Sequence, residues 1–388
     1  MKNLSRIAEE VTGSPIRKMF NIADRMTDVI SFTVGEPDFV TPRNIMDAAV
    51  RSLERGETHY TLNAGLLRAR QAIARRVQQE LSLSPDPEKE IMVTAGGMEA
   101  LILGMMVLLD PGDEVIISDP HWSNYPRQVQ MCGGVPRFVA VREEEGFVLD
   151  PREVRRAITE KTKIILLNSP SNPTGAVMDR DTTREIARLA VQHDLFVISD
   201  EVYHHFLYDG AVFTSISSFE GMQERTLVVD SLSKTYAMTG WRVGWAVGPE
   251  ALVRNMVKYQ ENVIGCVNSQ AQYAAIEALE GSQDALHRML RTYTDRRKTI
   301  LDGIARIADL SCVPPKGAFY CFVNIRATGM SSEEFAMELL KETGVVTVPG
   351  SGFGCAGEGF IRLSYATSEE NITRGLERIR RFVESRRS

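Results

Sequence analysis

Cysteine is scarce in the 388-residue chain: there are five, and no two have C-x-x-C spacing. Cys132, Cys266, Cys312, Cys321 and Cys355 are scattered and odd in number. That excludes a disulfide framework or a cysteine zinc site, and reads as reduced, mostly buried thiols in a cytoplasmic protein. An excess of positive charge is also missing. Lys and Arg total 45 against 51 Asp and Glu, a net charge of −6, so a broad nucleic-acid surface is excluded and any anion site must be local. No apolar run is long enough to span a membrane. The first twenty residues mix acids with bases and lack an apolar stretch of about 7 to 15 residues, so no signal peptide is expected. Metal-ligand spacing is lacking too: His204 and His205 are adjacent, and no metal is expected.

What is present is an ordinary globular composition, 43% hydrophobic and 25% charged, on a chain long enough for two packed domains. Short β-branched runs at Ile91–Thr94, Glu114–Ser118, Arg137–Val141, Lys163–Leu167, Leu195–Ser199, Thr226–Val229 and Trp241–Val247 alternate with amphipathic segments such as Arg180–Gln192. Most are nearly all apolar, as expected where helices cover both faces of a mostly parallel sheet. From about residue 283 the pattern changes to charged helices, Asp284–Ala308 and Ser332–Glu342, around strands at Phe319–Val323, Val345–Val348 and Phe360–Tyr365. The expected fold class is therefore α/β. A large domain spans 36–282, and a smaller α+β domain is built from 1–35 and 283–388.

In open α/β sheets ligands bind beyond the carboxyl ends of the strands. The segments in those positions are Thr94-Ala-Gly-Gly-Met98, Ser118-Asp-Pro-His-Trp122, Asn168 to Gly175, Asp200-Glu-Val-Tyr203 and Asp230-Ser-Leu-Ser-Lys234. Glycines, hydroxyls, an aromatic ring, an amide, a carboxylate and a lysine thus converge on one edge. Singly each has a plain structural reading: Asn-Pro-Thr-Gly is a common turn, serines before a helix cap it, and a lone Trp is core.

Their order along the chain is more specific. The run Ser231-Leu-Ser-Lys-Thr-Tyr-Ala-Met-Thr-Gly-Trp-Arg-Val-Gly244 resembles the cofactor-lysine motif of class I/II aminotransferases, S-x-S-K with an arginine eight residues later. Asn172-Pro-Thr-Gly175, Asp200-x-x-Tyr203, Gly35-Glu-Pro-Asp38, Tyr60-Thr-x-x-x-Gly65 and Ile361-Arg-Leu-Ser-Tyr365 match the same family, in its order and over essentially the whole chain. Ser14-Pro-Ile-Arg-Lys18 and Thr239-Gly-Trp-Arg242 are similar to the archaeal-type aromatic and broad-range members (subgroup I-gamma-like). One departure is Gly65-Leu-Leu-Arg-Ala-Arg70, where the family more often has Gly-x-x-x-Leu-Arg. It is assigned to a helix packing on the large domain.

The resemblance implies the fold type I of pyridoxal 5'-phosphate (PLP) enzymes, with a seven-stranded sheet. It implies that Lys234 holds PLP as a Schiff base and then shuttles the substrate proton, while Asp200 pairs with the pyridine nitrogen. Asn172 and Tyr203 would hydrogen-bond the ring's phenolic oxygen, and Trp122 would stack on its face. Phosphate donors would be Ser231, Ser233, Arg242 and the N–H groups of Gly96, Gly97 and Met98, with Tyr60 supplied by the neighbouring subunit of a homodimer. Arg362 would clamp the substrate α-carboxylate, helped by Gly35, Trp122 and Asn172.

The implied reaction is amino transfer from an L-amino acid to a 2-oxo acid such as 2-oxoglutarate, with no nucleic-acid or membrane partner. A β-lyase or decarboxylase on the same fold is the alternative; a PLP-binding regulator is disfavoured, since nothing precedes the core that resembles a DNA-binding arm. Aspartate enzymes of the subgroup usually carry lysine at the position of Met98, where it meets the distal carboxylate. Methionine there favours aromatic or other apolar donors, because an unpaired buried carboxylate is costly. Arg17 is a candidate for supplying the missing charge, which keeps the aspartate alternative open. His121, beside Trp122, is a candidate for touching substrate.

Overall fold

The computed structural model describes residues 28–387 together with Ser5, Ala8, Glu9 and Met19. Ser14–Lys18, including Arg17, therefore lies outside the described residues. The first strand, β1 (Ile30–Ser31), precedes the large-sheet strands β2 (Ile91–Thr94), β3 (Glu114–Asp119), β4 (Val135–Ala140), β5 (Thr162–Asn168), β6 (Phe196–Asp200), β7 (Thr226–Ser231) and β8 (Gly244–Val247). Their spatial order is β2-β8-β7-β6-β5-β3-β4. Every pairing is parallel except the two made by β8, which runs antiparallel to β2 and β7.

Side-chain alternation explains why both faces are apolar. Ile117, Leu166 and Ile198 pack with Leu101, Leu103 and Met105 of the helix Gly97–Leu108. Their chain neighbours Ile116, Ile165 and Val197 point the other way, onto Ile186, Leu189 and Ala190 of the helix Arg180–Gln192. The period of two sends successive residues to opposite layers, and each fully buried Ile or Leu contributes about 1.5–3 kcal/mol.

The remaining strands are β9 (Ser311–Cys312), β10 (Tyr320–Asn324), β11 (Val345–Val346), β12 (Val348–Pro349) and β13 (Phe360–Ser364). They form a four-stranded antiparallel sheet, β12-β13-β10-β9, and a parallel pair of β1 with β11. The run expected as one strand at Val345–Val348 is thus two short strands in different sheets. Ser364 N–H donates to Phe32 O at 2.8 Å, and Met19 packs on Ala336, Leu340 and Val346, so N-terminal residues are stitched to this unit. The helix Asp284–Ile304 ends four residues before the expected Ala308. The helix Leu67–Leu81 buries Arg70, whose guanidinium donates to Gly65 O and Pro87 O, and so accounts for the departure at 65–70.

Two further expectations are corrected. The strand expected at Trp241–Val247 begins only at Gly244, because Thr239–Trp241 is a 3-10 turn and Arg242 is left-handed with φ 53°. That kink lets the Arg242 guanidinium reach back to Thr239 O and Ala95 O, at 2.9 and 3.2 Å. The cysteines, all free, are not mostly buried: Cys321 is, Cys355 is exposed and three are intermediate. No helix among the described residues is long and apolar enough to cross a membrane.

Gly244 marks where β7, β8 and the turn after β2 approach most closely. A Cβ there would lie 2.7 Å from Asp230 O, 2.9 Å from Ser231 Cβ and 3.0 Å from the carbonyl carbon of Gly96, none of which is a flexible chain end. At Gly240 a Cβ would meet nothing within 4 Å. Gly244→Ala is therefore expected to destabilise by about 1–3 kcal/mol in urea unfolding and Gly240→Ala by less than about 0.5 kcal/mol. Equal midpoints for the two variants would contradict this reading of the crowded edge.

Candidate active site

Because β2, β3, β5, β6 and β7 run the same way, their carboxyl ends share one edge, and β8 enters that edge at its amino end. A cavity of about 510 Å³ opens there. Gly97 and Met98 line it from the helix after β2, Trp122 from the loop after β3, and Asn172 from the loop after β5. Asp200, Tyr203, Ser231, Ser233, Lys234 and Arg242 follow β6 and β7. Gly35 enters from the N-terminal segment and Arg362 from β13. Gly96 stands just behind the lining, left-handed at φ 81°, where a Cβ would press on Arg242 Nη2 at 2.8 Å.

Lys234 Nζ donates to Gly35 O at 2.5 Å. Burial lowers its ammonium to about 8; Arg362 and Arg242 push the same way, whereas Glu36 and Asp200 oppose. Asp200 accepts from the Tyr125 hydroxyl at 2.7 Å, and burial raises its carboxyl to about 6 against the pull of that bond and of Lys234. Arg362 is fully buried. Its Nη1 donates to Asn172 Oδ1 at 2.8 Å and its Nη2 to Thr33 O at 2.6 Å, with the plane held between Tyr320 and Phe353 at 4.5 and 4.9 Å. Its Nε is buried without a protein partner. The Tyr203 and Tyr320 hydroxyls are 2.8 Å apart, and Trp122 meets Tyr125 edge to face.

Across residues 27–379 the chain matches the model of the family described as aminotransferase class I and II. The chain belongs to the class I and II aminotransferases. It is 44% identical over 379 residues to an aspartate aminotransferase of Pyrococcus abyssi, covering 97% of both chains. Over 386 residues it is 41% identical to aromatic-amino-acid aminotransferase 2 of Thermococcus litoralis, covering 99% of both. A crystal structure of a Pyrococcus protein (protein A1) superposes with a TM-score of 0.97 at 44% identity, over 99% of this chain and all of that one. The fold-type I expectation stands with these.

Enzymes of this family use PLP, and the aminotransferase cavity fits such a group. It holds an amine lowered to about 8 together with a buried carboxylate, sets a glycine turn and helix N-terminus against an arginine, and leaves a buried guanidinium N–H aimed at no protein atom.

Two residues named from sequence are not at the cavity. Tyr60 is 95% exposed and does not line it. His121 does not line it either: its ring stacks on Phe138 at 5.1 Å and its backbone N–H donates to Phe353 O. Conversely, Tyr125, Tyr320, Glu36 and Asn168 line the aminotransferase cavity without having been singled out. Tyr320 sat inside an apolar strand pattern, and nothing local in the sequence ties Tyr125 to Asp200, 75 residues away. The adjacent histidines also acquire the donor they lacked. Glu80, from a distant helix, brings a carboxylate to both.

The lowered ammonium has a sign that can be checked. Its neutral form is favoured by the fold, so in cofactor-free protein Lys234 should lose half its charge near pH 8 rather than near 10.5. Labelling of Lys234 by an amine-reactive reagent, followed by peptide mass spectrometry across pH, should show that midpoint. Glu36→Gln should move it lower still, by removing the largest opposing charge. A midpoint above about 10, as for a solvated lysine, would contradict it.

Proposed function

We propose that this cavity binds PLP and moves the α-amino group of an L-amino acid, an aromatic or other apolar one by preference, to a 2-oxo acid such as 2-oxoglutarate. The observation that carries the proposal is the meeting of Lys234, Asp200, Asn172, Arg242 and Arg362 around one cavity. Bound there, PLP supplies an aldehyde carbon to take the amino group and a pyridinium ring to withdraw electrons from the substrate Cα.

The chain's residues divide the remaining work. Lys234, its ammonium lowered to about 8, would hold the cofactor's aldehyde carbon and move the proton at the substrate Cα. Asp200, steadied by Tyr125, holds a proton on the ring nitrogen. Asn172 and Tyr203 would hydrogen-bond the ring oxygen, and Trp122 would cover the ring. Ser231, Ser233, Arg242 and the N–H groups of Gly96, Gly97 and Met98 would hold the phosphate. Arg362 orients the substrate carboxylate with help from Gly35 and Asn172. The guanidinium is already fixed in plane by Asn172 and Thr33, so little side-chain entropy is lost when a carboxylate arrives.

Two proposals accompany this one. A second copy of the chain supplies Tyr60, which fits that residue's near-complete exposure. The chain divides into a large domain of 36–282 and a small one of 1–35 plus 283–388, the latter bringing Arg362.

The donor class rests on Met98. It lines the cavity at 37% exposure, with its sulfur accepting from the Gln128 amide at 3.2 Å, and offers nothing to a distal carboxylate. The aspartate reading is favoured by the Pyrococcus abyssi relative, whereas the Thermococcus litoralis relative favours the aromatic one. Initial rates with 2-oxoglutarate as acceptor separate them. Phenylalanine is expected to exceed aspartate in kcat/KM by at least about tenfold, a difference of about 1.4 kcal/mol, and Met98→Lys should narrow or reverse the ratio. Lys234→Ala should be inactive with both. A wild-type preference for aspartate would overturn the donor assignment, and turnover retained in Lys234→Ala would overturn the reaction.

A further inference from the structure

Beyond the cavity, the helix Leu67–Leu81 and the turn after β6 enclose a second group of polar side chains, none of which lines the cavity. Glu80, His204 and His205 each direct one donor atom to a common point, all within 4.8 Å of one another. Glu80 Oε2 lies 3.2 Å from His204 Nε2, and Glu80 Oε1 lies 3.4 Å from His205 Nε2. The two imidazole rings are 4.1 Å apart and tilted by 39°, which presents both Nε2 edges to the same carboxylate.

We propose that Glu80, His204 and His205 form a binding site for a first-row divalent cation, independent of the amino-transfer chemistry. Two imidazoles and one carboxylate are a donor set that holds Zn2+ and leaves a fourth position for water. Adjacent donors around such an ion stand about 3.3 Å apart for bonds of about 2.0 Å, a spacing that the two Glu80–imidazole contacts match, each through a different carboxylate oxygen. His204 is oriented as a ligand is: its Nδ1 lies 2.8 Å from the Glu201 carbonyl, placed to donate to it, which leaves Nε2, hydrogen-bonded to Glu80 when no ion is bound, as the ligand atom. Asp230 Oδ2, 3.6 Å from the same Nδ1, adds the outer carboxylate that strengthens an imidazole ligand. Phe213 covers the His204 ring, while Glu80 and His205 keep 22% and 17% exposure and leave a way in. Arg76 is the competitor. Its Nε lies 2.5 Å from Glu80 Oε1 and shares the carboxylate with any ion. Imidazole-rich sites suit zinc, copper, nickel and iron over magnesium or calcium, so Zn2+ and Co2+ are the appropriate probes.

The test is equilibrium dialysis of the tag-free holoenzyme against Zn2+, with no amino acid present, in a Cys355→Ser background that removes an exposed thiol. One saturable Zn2+ per chain is expected, and Co2+ in its place should give the visible bands of a tetrahedral ion. His205→Asn and Glu80→Gln should each lose that equivalent while keeping the absorbance of the bound cofactor, which verifies that they fold. If the parent takes up no saturable equivalent, or if both folded variants take up as much as the parent, the site does not exist and the cluster is an ion-paired network only. Should either variant fail to fold, Arg76→Gln decides: tighter Zn2+ binding than the parent supports the site, and unchanged or absent binding overturns it.

Discussion

The Lys234 amine sits out of bulk water with Arg362 and Arg242 on one side of its electrostatic balance and Glu36 and Asp200 on the other. A lone ammonium in such a place is expensive, and the fold answers by letting it lose its proton near pH 8 rather than by pairing it outright. Everything else at the cavity is arranged around that compromise. A full salt bridge to Asp200 would restore the charge, and the Tyr125 hydroxyl occupies the carboxylate instead. The Gly35 carbonyl gives the amine a hydrogen bond without giving it a counter-charge.

Holding so many polar groups together requires that several chain segments end at one place. The parallel strands supply this, since their carboxyl ends deliver Asn168 and Asp200 in register on neighbouring strands, with Ser231 two residues beyond Val229, the partner of Asp200. Glycine supplies the closeness: at Gly96 and Gly244 backbones and the Arg242 guanidinium approach to distances a side chain would forbid. Arg362 then ties β13 to this edge through Asn172 and Thr33, so the smaller sheet and the N-terminal segment are both fastened to the cavity by one buried guanidinium. Removing either partner would leave that charge buried and under-satisfied, which is the costly direction.

Much of this was legible in the sequence, for identifiable reasons. The large-sheet strands announced themselves because both faces are buried, and six of the seven fell within a few residues of their observed bounds. Where Arg242 leaves strand geometry to serve the site, the apolar pattern of Trp241–Val247 misled, since local pattern carries no information about a distant carbonyl. Lys234, Asp200, Asn172 and Arg362 could be named because they lie in short ordered motifs. Tyr125, Tyr320 and Glu80 could not, because each acts through a partner more than 70 residues away. His121 was suspected from its neighbour alone and turns out to pack on Phe138.

The central claim, that Lys234 is the amine that carries the cofactor, is tested most directly by chemical trapping. Holoenzyme is reduced with borohydride, digested, and the peptide bearing the pyridoxyl group is located by mass spectrometry. The account predicts a single modified residue, Lys234, at close to one group per chain. Modification of another lysine, or none in protein that retains activity, would contradict it.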